Sequence, residues 1–309
     1  MSRVAVLLAA LMVVAAGSDL SMLAGTSAQQ PAGFVCPMHP DVLSAVPGSC
    51  SSCGMTLIPV HSGSTPAYAM ELPTGMDEVV AGRPFTLALV VREPETGAIV
   101  HRFVEVHERR FHLFVIGEDL EFYTHLHPGQ RDDGSWSLDV TLPRPGRYKV
   151  YADFRPDGGP PQVLARALVT AGFTDDPAAP RIKLAPDREL YRTAGSMSVV
   201  LDLPARGPAA GPEQNFSYRI TDVATGAPVT DLEPYLGAWG HSLLLSEDMS
   251  QFVHAHPVES LSAGRGGPAL TFKAALPTSG TYRIWTQLKR RGEVSTAVFT
   301  VHVTSKPGK

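Results

Sequence analysis

Two stretches decide the reading. The first is His112-Leu113-Phe114-Val115-Ile116-Gly117-Glu118-Asp119-Leu120-Glu121-Phe122-Tyr123-Thr124-His125-Leu126-His127-Pro128. The second, from His241 to Pro257, repeats its framework 129 residues later, with His241, Glu247, Asp248, His254, His256 and Pro257 in the same places. The shared pattern is H-x6-D-x5-H-x-H-P. Apolar runs on either side of an Asp-containing break predict a β-hairpin. With Glu118-Asp119 as a two-residue turn, His112 falls opposite His125. His127 then shares their face, because side chains alternate along a strand. Three imidazoles on one hairpin face, in each of two copies, are a candidate metal site that suits zinc, copper, nickel or iron. Asp119 and Asp248 are read as turn formers, and Pro128 and Pro257 as strand ends.

The repeat extends outward from the hairpins. Residues 89–128 align without a gap on 218–257, with Thr96-Gly97-Ala98 on Thr225-Gly226-Ala227 and Val100 on Val229. Downstream the offset becomes 134, so that Leu142-Pro143, Gly146 and Tyr148 fall on Leu276-Pro277, Gly280 and Tyr282. Short runs such as Phe85 to Val91, Arg147 to Phe154 and Tyr282 to Leu288 alternate and are cut by Pro-Gly and Asp-Gly turns. The predicted fold class is all-β: two tandem immunoglobulin-like sandwiches, residues 63–173 and 181–305, joined by a linker at 174–180. Tyr148 and Tyr282 are assigned to the cores; His101 and His107, which have no mates, are assigned to the surface. In the second copy the histidine face also carries Trp239, Leu243, Leu245 and Phe252, whereas the other face carries Ser242, Ser246 and Gln251. The histidine face is therefore expected to point into its own sandwich, with the histidines near the rim. In the first copy both faces are apolar and parity does not decide.

Composition narrows the function classes. The chain of 309 residues has 26 basic against 30 acidic residues, so no cationic excess exists to hold nucleic acid. Val4 to Ala16 is apolar, follows Arg3 and is followed by Thr26-Ser27-Ala28. It reads as a signal peptide, residues 1–28, cleaved after Ala28, which predicts a periplasmic or secreted protein with no membrane span in the mature chain. No apolar run reaches the length of a membrane-spanning helix.

All three cysteines lie between positions 36 and 53. Cys36 and His39 are spaced C-x-x-H; Cys50 and Cys53 are spaced C-x-x-C and are followed by Gly54. Two such knuckles can surround one tetrahedral ion. So short a segment, residues 29–62, cannot bury enough apolar surface to fold alone, which favours a metal. Met38 and Met55 are thioethers, which favour soft ions such as Cu(I). A disulfide with one cysteine left over is the competing arrangement; it would leave His39 and both turns unexplained.

The run Cys36-Pro37-Met38-His39-Pro40, followed by Pro47-Gly48-Ser49-Cys50-Ser51-Ser52-Cys53-Gly54-Met55-Thr56-Leu57, resembles the bacterial heavy-metal-binding domain family. Ser51 replaces that family's usual proline, which weakens the turn without removing a ligand. The resemblance implies metal binding and, because such domains stand at the front of copper and silver efflux adaptors and metal-pumping ATPases, an association with an efflux system or tolerance.

The expected function is therefore an exported heavy-metal-binding protein that scavenges, chaperones or confers tolerance to copper, with copper or zinc as the ion, and no catalytic activity. The metal residues are Cys36, His39, Cys50 and Cys53 in the module and the six hairpin histidines. Two other functions compete. One is a copper-dependent oxidoreductase using the H-x-H sites, although a blue-copper centre is excluded because neither sandwich contains cysteine. The other is a structural or interaction protein in which only the front module binds metal.

Overall fold

The computed structural model describes residues 33–35, 43–44, 46–48, 58–60, 68–74, 79–174 and 183–305. A small antiparallel sheet comes first, from β1 (Gly33–Val35), β2 (Leu43–Ser44) and β3 (Ile58–Val60), in the order β2-β1-β3. Pairing of Val35 with Ile58 brings the two ends of the cysteine segment together. Cys36, His39, Cys50 and Cys53 lie outside the described residues, as do the leader, residues 175–180 of the linker and residues 181–182.

The first repeat contains β4 (Ala69–Glu71), β5 (Pro84–Arg92), β6 (Phe111–Gly117), β7 (Tyr123–Leu126), β8 (Gly129–Gln130), β9 (Trp136–Thr141), β10 (Arg147–Phe154) and β11 (Gln162–Val169). They form two antiparallel sheets, β4-β5-β9-β8 and β11-β10-β6-β7. Leu87 and Leu89 of β5 and Trp136 and Val140 of β9 meet Leu113 and Val115 of β6 and Val150 and Ala152 of β10 in one core. The repeat is thus a sandwich, as its alternating strands require.

The second repeat contains β12 (Tyr191–Ala194), β13 (Met197–Asp202), β14 (Glu213–Asp222), β15 (Leu232–Glu233), β16 (His241–Ser246), β17 (Phe252–Ala255), β18 (Ala269–Ala275), β19 (Gly280–Arg290) and β20 (Glu293–Val303). Its sheets are β12-β13-β14-β18 and β15-β19-β16-β17, with β20 on the other side of β19. Phe216, Tyr218, Phe272, Leu244, Ile284 and Phe299 fill the core between them. Tyr148 and Tyr282 lie in their respective cores, and each hydroxyl donates to a carbonyl four residues upstream, of Arg144 and Thr278.

The hairpins differ from expectation in register. Phe114, not His112, pairs with His125, and Leu243 pairs with His254. The turns are longer than two residues: Gly117 N–H donates to Phe122 O, and Leu120 N–H donates back to Gly117 O. Leu120 and its mate Met249 take positive φ of 58° to close these turns. Asp119 and Asp248 each accept a backbone N–H two residues on, as turn formers do. A slip of two preserves parity, so the three histidines still share one face.

In the second repeat that face points the other way from the one expected, and in the first, where parity does not decide, it does the same. It leaves its own core and packs on the matching face of the other repeat. Phe114, Ile116, Leu120 and Tyr151 of the first repeat meet Leu243, Leu245, Met249 and Trp285 of the second in a separate buried cluster. Residues 114, 116 and 120 map on 243, 245 and 249 at the 129 offset, and Tyr151 maps on Trp285 at 134. The interface is therefore self-complementary, like that of a two-fold dimer built within one chain. Two stacks repeat across it: Tyr123 on Trp285 at 5.0 Å and Phe252 on Tyr151 at 4.9 Å. Tyr151 Oη and Lys149 Nζ both donate to Met249 O, at 2.7 and 2.8 Å. Each buried side chain of this kind contributes about 1.5–3 kcal/mol, which docks the two sandwiches firmly.

Candidate metal centre

Hairpin strands β6 and β7 place His112, His125 and His127; β16 and β17 place His241, His254 and His256. In each triad one ring nitrogen from every histidine lies within 4.8 Å of the others. The six imidazoles are mostly buried, His112 at 3% and His241 at 1% exposure.

The hydrogen bonds determine where the lone pairs point. His112 Nε2 lies 3.0 Å from Val106 O. A carbonyl only accepts, so Nε2 carries the proton and Nδ1 is left with its lone pair. His125 Nδ1 lies 3.0 Å from Gln287 Oε1, which leaves its Nε2 unprotonated. These two acceptors, His112 Nδ1 and His125 Nε2, face each other at 3.1 Å. The second triad repeats the arrangement. His241 Nε2 donates to Tyr235 O at 2.9 Å and His254 Nδ1 donates to Asp153 Oδ2 at 2.9 Å, while His241 Nδ1 and His254 Nε2 face each other at 3.3 Å. Two imidazole nitrogens on one tetrahedral ion, each about 2.0–2.1 Å from it, are about 3.3 Å apart. Opposed lone pairs at that distance repel unless a cation lies between them.

The third histidine of each triad adds to this. Among the described residues, His127 Nε2 and both ring nitrogens of His256 are buried without a hydrogen-bond partner. Such atoms cost about 1–3 kcal/mol each when left unsatisfied. The donor set is neutral imidazole, which zinc and copper both accept.

Burial also keeps these rings neutral. Desolvation, reinforced by neighbouring histidines, lowers His107 and His127 to about 3. Burial likewise pushes His112, His125, His241, His254 and His256 below the usual imidazole value. Desolvation raises the Asp153 carboxyl, opposed by His112 and His107.

The two triads are not separate sites on separate domains. Ring centroids of His112 and His254 are 5.5 Å apart, of His125 and His254 5.5 Å, and of His125 and His241 5.6 Å. Within a triad the spacings run from 4.5 Å for His241–His256 to 5.5 Å for His241–His254. His112 and His241 are 6.4 Å apart, so the shortest spacings between triads equal the longest within them, and the interface brings six imidazoles into one cluster. Aromatic rings border it: Phe114 stacks on His125 at 4.2 Å.

Three participants escaped the sequence reading. Asp153 and Gln287 occupy equivalent positions on β10 and β19, beside His112 and His241 in register. Each reaches across to a histidine of the other repeat. Their shared alignment was available at the 134 offset, but they differ in residue type. His107, assigned to the surface, instead stacks on His256 at 3.7 Å. It occupies a tight turn, Val106 to Arg109, in which His107 and Glu108 both take positive φ; Leu236 and Gly237 do the same in the second repeat. His101 is exposed, as expected.

One side of the cluster opens to a cavity of about 710 Å³. His107, His112, His254, His256 and Asp153 line it, and Arg109, Arg110 and Arg155 contribute positive charge.

Comparisons with known proteins bear on both parts of the chain. Residues 34–60 match the heavy metal binding domain, as the cysteine motif implies. No curated protein matches the sequence. Among solved structures, a Salmonella alpha-2-macroglobulin mutant is 14% identical over 80% of this chain, with a TM-score of 0.25. Invasin, a bacterial integrin-binding protein, is 11% identical over 79%, with a TM-score of 0.24. Domains 4 and 5 of the S-layer protein SbsC are 13% identical over 78% of this chain and all of theirs, with a TM-score of 0.21. This chain spans 15% of the macroglobulin and 40% of the invasin. Among the described residues no helix is long and apolar enough to cross a membrane. Residues 65–170 and 192–305, most of the chain and both sandwiches, match one family model, so the chain belongs to the family of the domain of unknown function DUF8832.

Proposed function

We propose that the chain is an exported heavy-metal-binding protein that scavenges, chaperones or confers tolerance to copper, without catalysing a reaction on it. The observation that carries this reading is the pair of facing imidazole nitrogens in each triad, 3.1 and 3.3 Å apart, spaced as ligands of one ion. Copper is favoured over zinc on two grounds. Cu(II) binds imidazole sites more tightly than other divalent first-row ions, and the thioethers Met38 and Met55 beside the cysteine knuckles suit Cu(I). Export rests on the leader-like first 28 residues, and a link to an efflux system rests on the front module. The immunoglobulin-like reading of each sandwich is supported by the tyrosine hydroxyl bonded to a backbone carbonyl just upstream. The test is metal retention: full-length protein loaded with copper or zinc and then desalted keeps its ions, and replacing His125, His127, His254 and His256 by alanine removes those held by the sandwiches. Unchanged metal content in that variant would restrict binding to the front module.

A second reading, a copper-dependent oxidoreductase, is favoured by the cavity alone. Its volume lies within the range of about 300–1,000 Å³ for small-molecule sites, and it reaches His254 and His256. Redox turnover by copper-loaded protein, abolished by His254→Ala, would establish catalysis; copper binding without turnover supports the storage reading.

A further inference from the structure

We infer that the two triads form a single dinuclear centre with unequal sites, in which the ion on His241, His254 and His256 is the tighter because Asp153 of the first repeat backs His254. This rests on the reading that the triads bind metal. A pseudo-two-fold axis runs between the repeats. It relates His112 to His241, His125 to His254, His127 to His256, Val106 O to Tyr235 O, and Asp153 to Gln287. Every pair but the last presents the same group to its imidazole. At the last, His254 Nδ1 donates to a carboxylate at 2.9 Å and His125 Nδ1 to a neutral amide at 3.0 Å. A carboxylate behind a histidine makes its other nitrogen a stronger donor, and removing such a partner typically costs about 10–100-fold in metal affinity. The ion on the second triad therefore binds first.

The swap has a structural consequence. The residue that strengthens the second repeat's site belongs to the first, and the one that orients His125 of the first belongs to the second. Neither site is complete until the sandwiches dock. Since imidazoles of different triads approach to 5.5 Å between ring centroids, ions about 2 Å from their nitrogens would lie close enough to interact magnetically. Asp153 also lines the cavity, with His254 and His256 of the tighter site and His112 of the other, so the tighter site presents two of its ligands to incoming metal and the weaker site one.

The experiment uses the full chain with Cys36, Cys50 and Cys53 replaced by serine, titrated with Cu(II) against a chelator and followed by electron paramagnetic resonance. Two dissociation constants are expected, the first equivalent giving an ordinary mononuclear signal and the second broadening or abolishing it through coupling. Asp153→Asn should weaken the tighter constant about 10–100-fold and leave the other nearly unchanged. Gln287→Glu should tighten the weaker one and narrow the gap, an effect no loss of folding would produce. Two independent, additive signals would overturn the dinuclear centre while leaving metal binding intact. Equal constants, or constants unmoved by both variants, would overturn the asymmetry. Absence of copper binding would overturn this inference together with the function on which it rests.

Discussion

Acidifying the metal-free protein should unfold it well above the pH at which carboxylates titrate. The cause is the buried imidazole cluster. Above pH about 6.5 histidines are neutral in both folded and unfolded chains, and the cluster adds no pH dependence. Below it, the unfolded chain takes up protons that the folded chain cannot, so stability falls as pH falls until the folded-state values are reached. For His107 and His127 those values are about 3. Between pH 7.5 and pH 5 each then removes roughly 2 kcal/mol, about 4 kcal/mol together. The other five lowered histidines act in the same direction. A domain has only about 5–15 kcal/mol in all, so these two rings alone consume a large share. Carboxylates held low by partners, such as Asp222 at about 2, lose their contribution only as pH falls below about 4, outside this window. The assay is urea unfolding of metal-free protein at half-unit steps from pH 7.5 to 5. A fall of at least about 3 kcal/mol is expected. A flat profile would refute the claim that these imidazoles are buried and neutral.

Other expectations follow from particular contacts. Copper or zinc at a hundred times its dissociation constant should stabilise the folded chain by about 2.7 kcal/mol per ion, read as a rise in melting temperature that the His125→Ala, His254→Ala double variant lacks. Phe114→Ala empties the centre of the inter-repeat cluster and should cost about 3–5 kcal/mol in chemical denaturation, while separating the melting of the two sandwiches. Tyr218→Phe removes the acceptor of Thr286 Oγ1, 2.7 Å away in the second core, and should cost about 1–2 kcal/mol without changing metal content. Gly240→Ala would place a methyl 2.7 Å from Gln287 O, displacing the strand that supports His125; it should destabilise by about 1–3 kcal/mol and weaken metal retention.

Much of the architecture was legible in the residues. The duplication, the strand rhythm and the sharing of one face by three histidines all follow from spacing, and a register error of two leaves that face intact. The error arose because a positive φ at Leu120 or Met249 cannot be read from an ordinary apolar residue. The direction of the histidine face was misread for a different reason. Ser242 looked like a solvent-side residue, yet it sits in the second core, where its hydroxyl meets Thr286 Oγ1 at 3.0 Å and Thr286 in turn reaches Tyr218. A polar residue satisfied inside a core reverses any parity argument. Leu243 and Leu245 were apolar because they meet the other repeat, a contact that no single-domain pattern contains. Asp153, Gln287 and His107 stayed hidden because a repeat is recognised by what it preserves, and these are positions where the two halves diverge.

Metal binding by the histidine cluster of the sandwiches should survive loss of the front module. Its most direct test is metal stoichiometry by mass spectrometry on the full chain with Cys36, Cys50 and Cys53 changed to serine, saturated with copper and desalted. Two retained ions per chain, lost when His112, His125, His241 and His254 are changed to alanine, is the expected result. A desalted protein with no bound ion would contradict the claim and reduce the cluster to the packing of two domains.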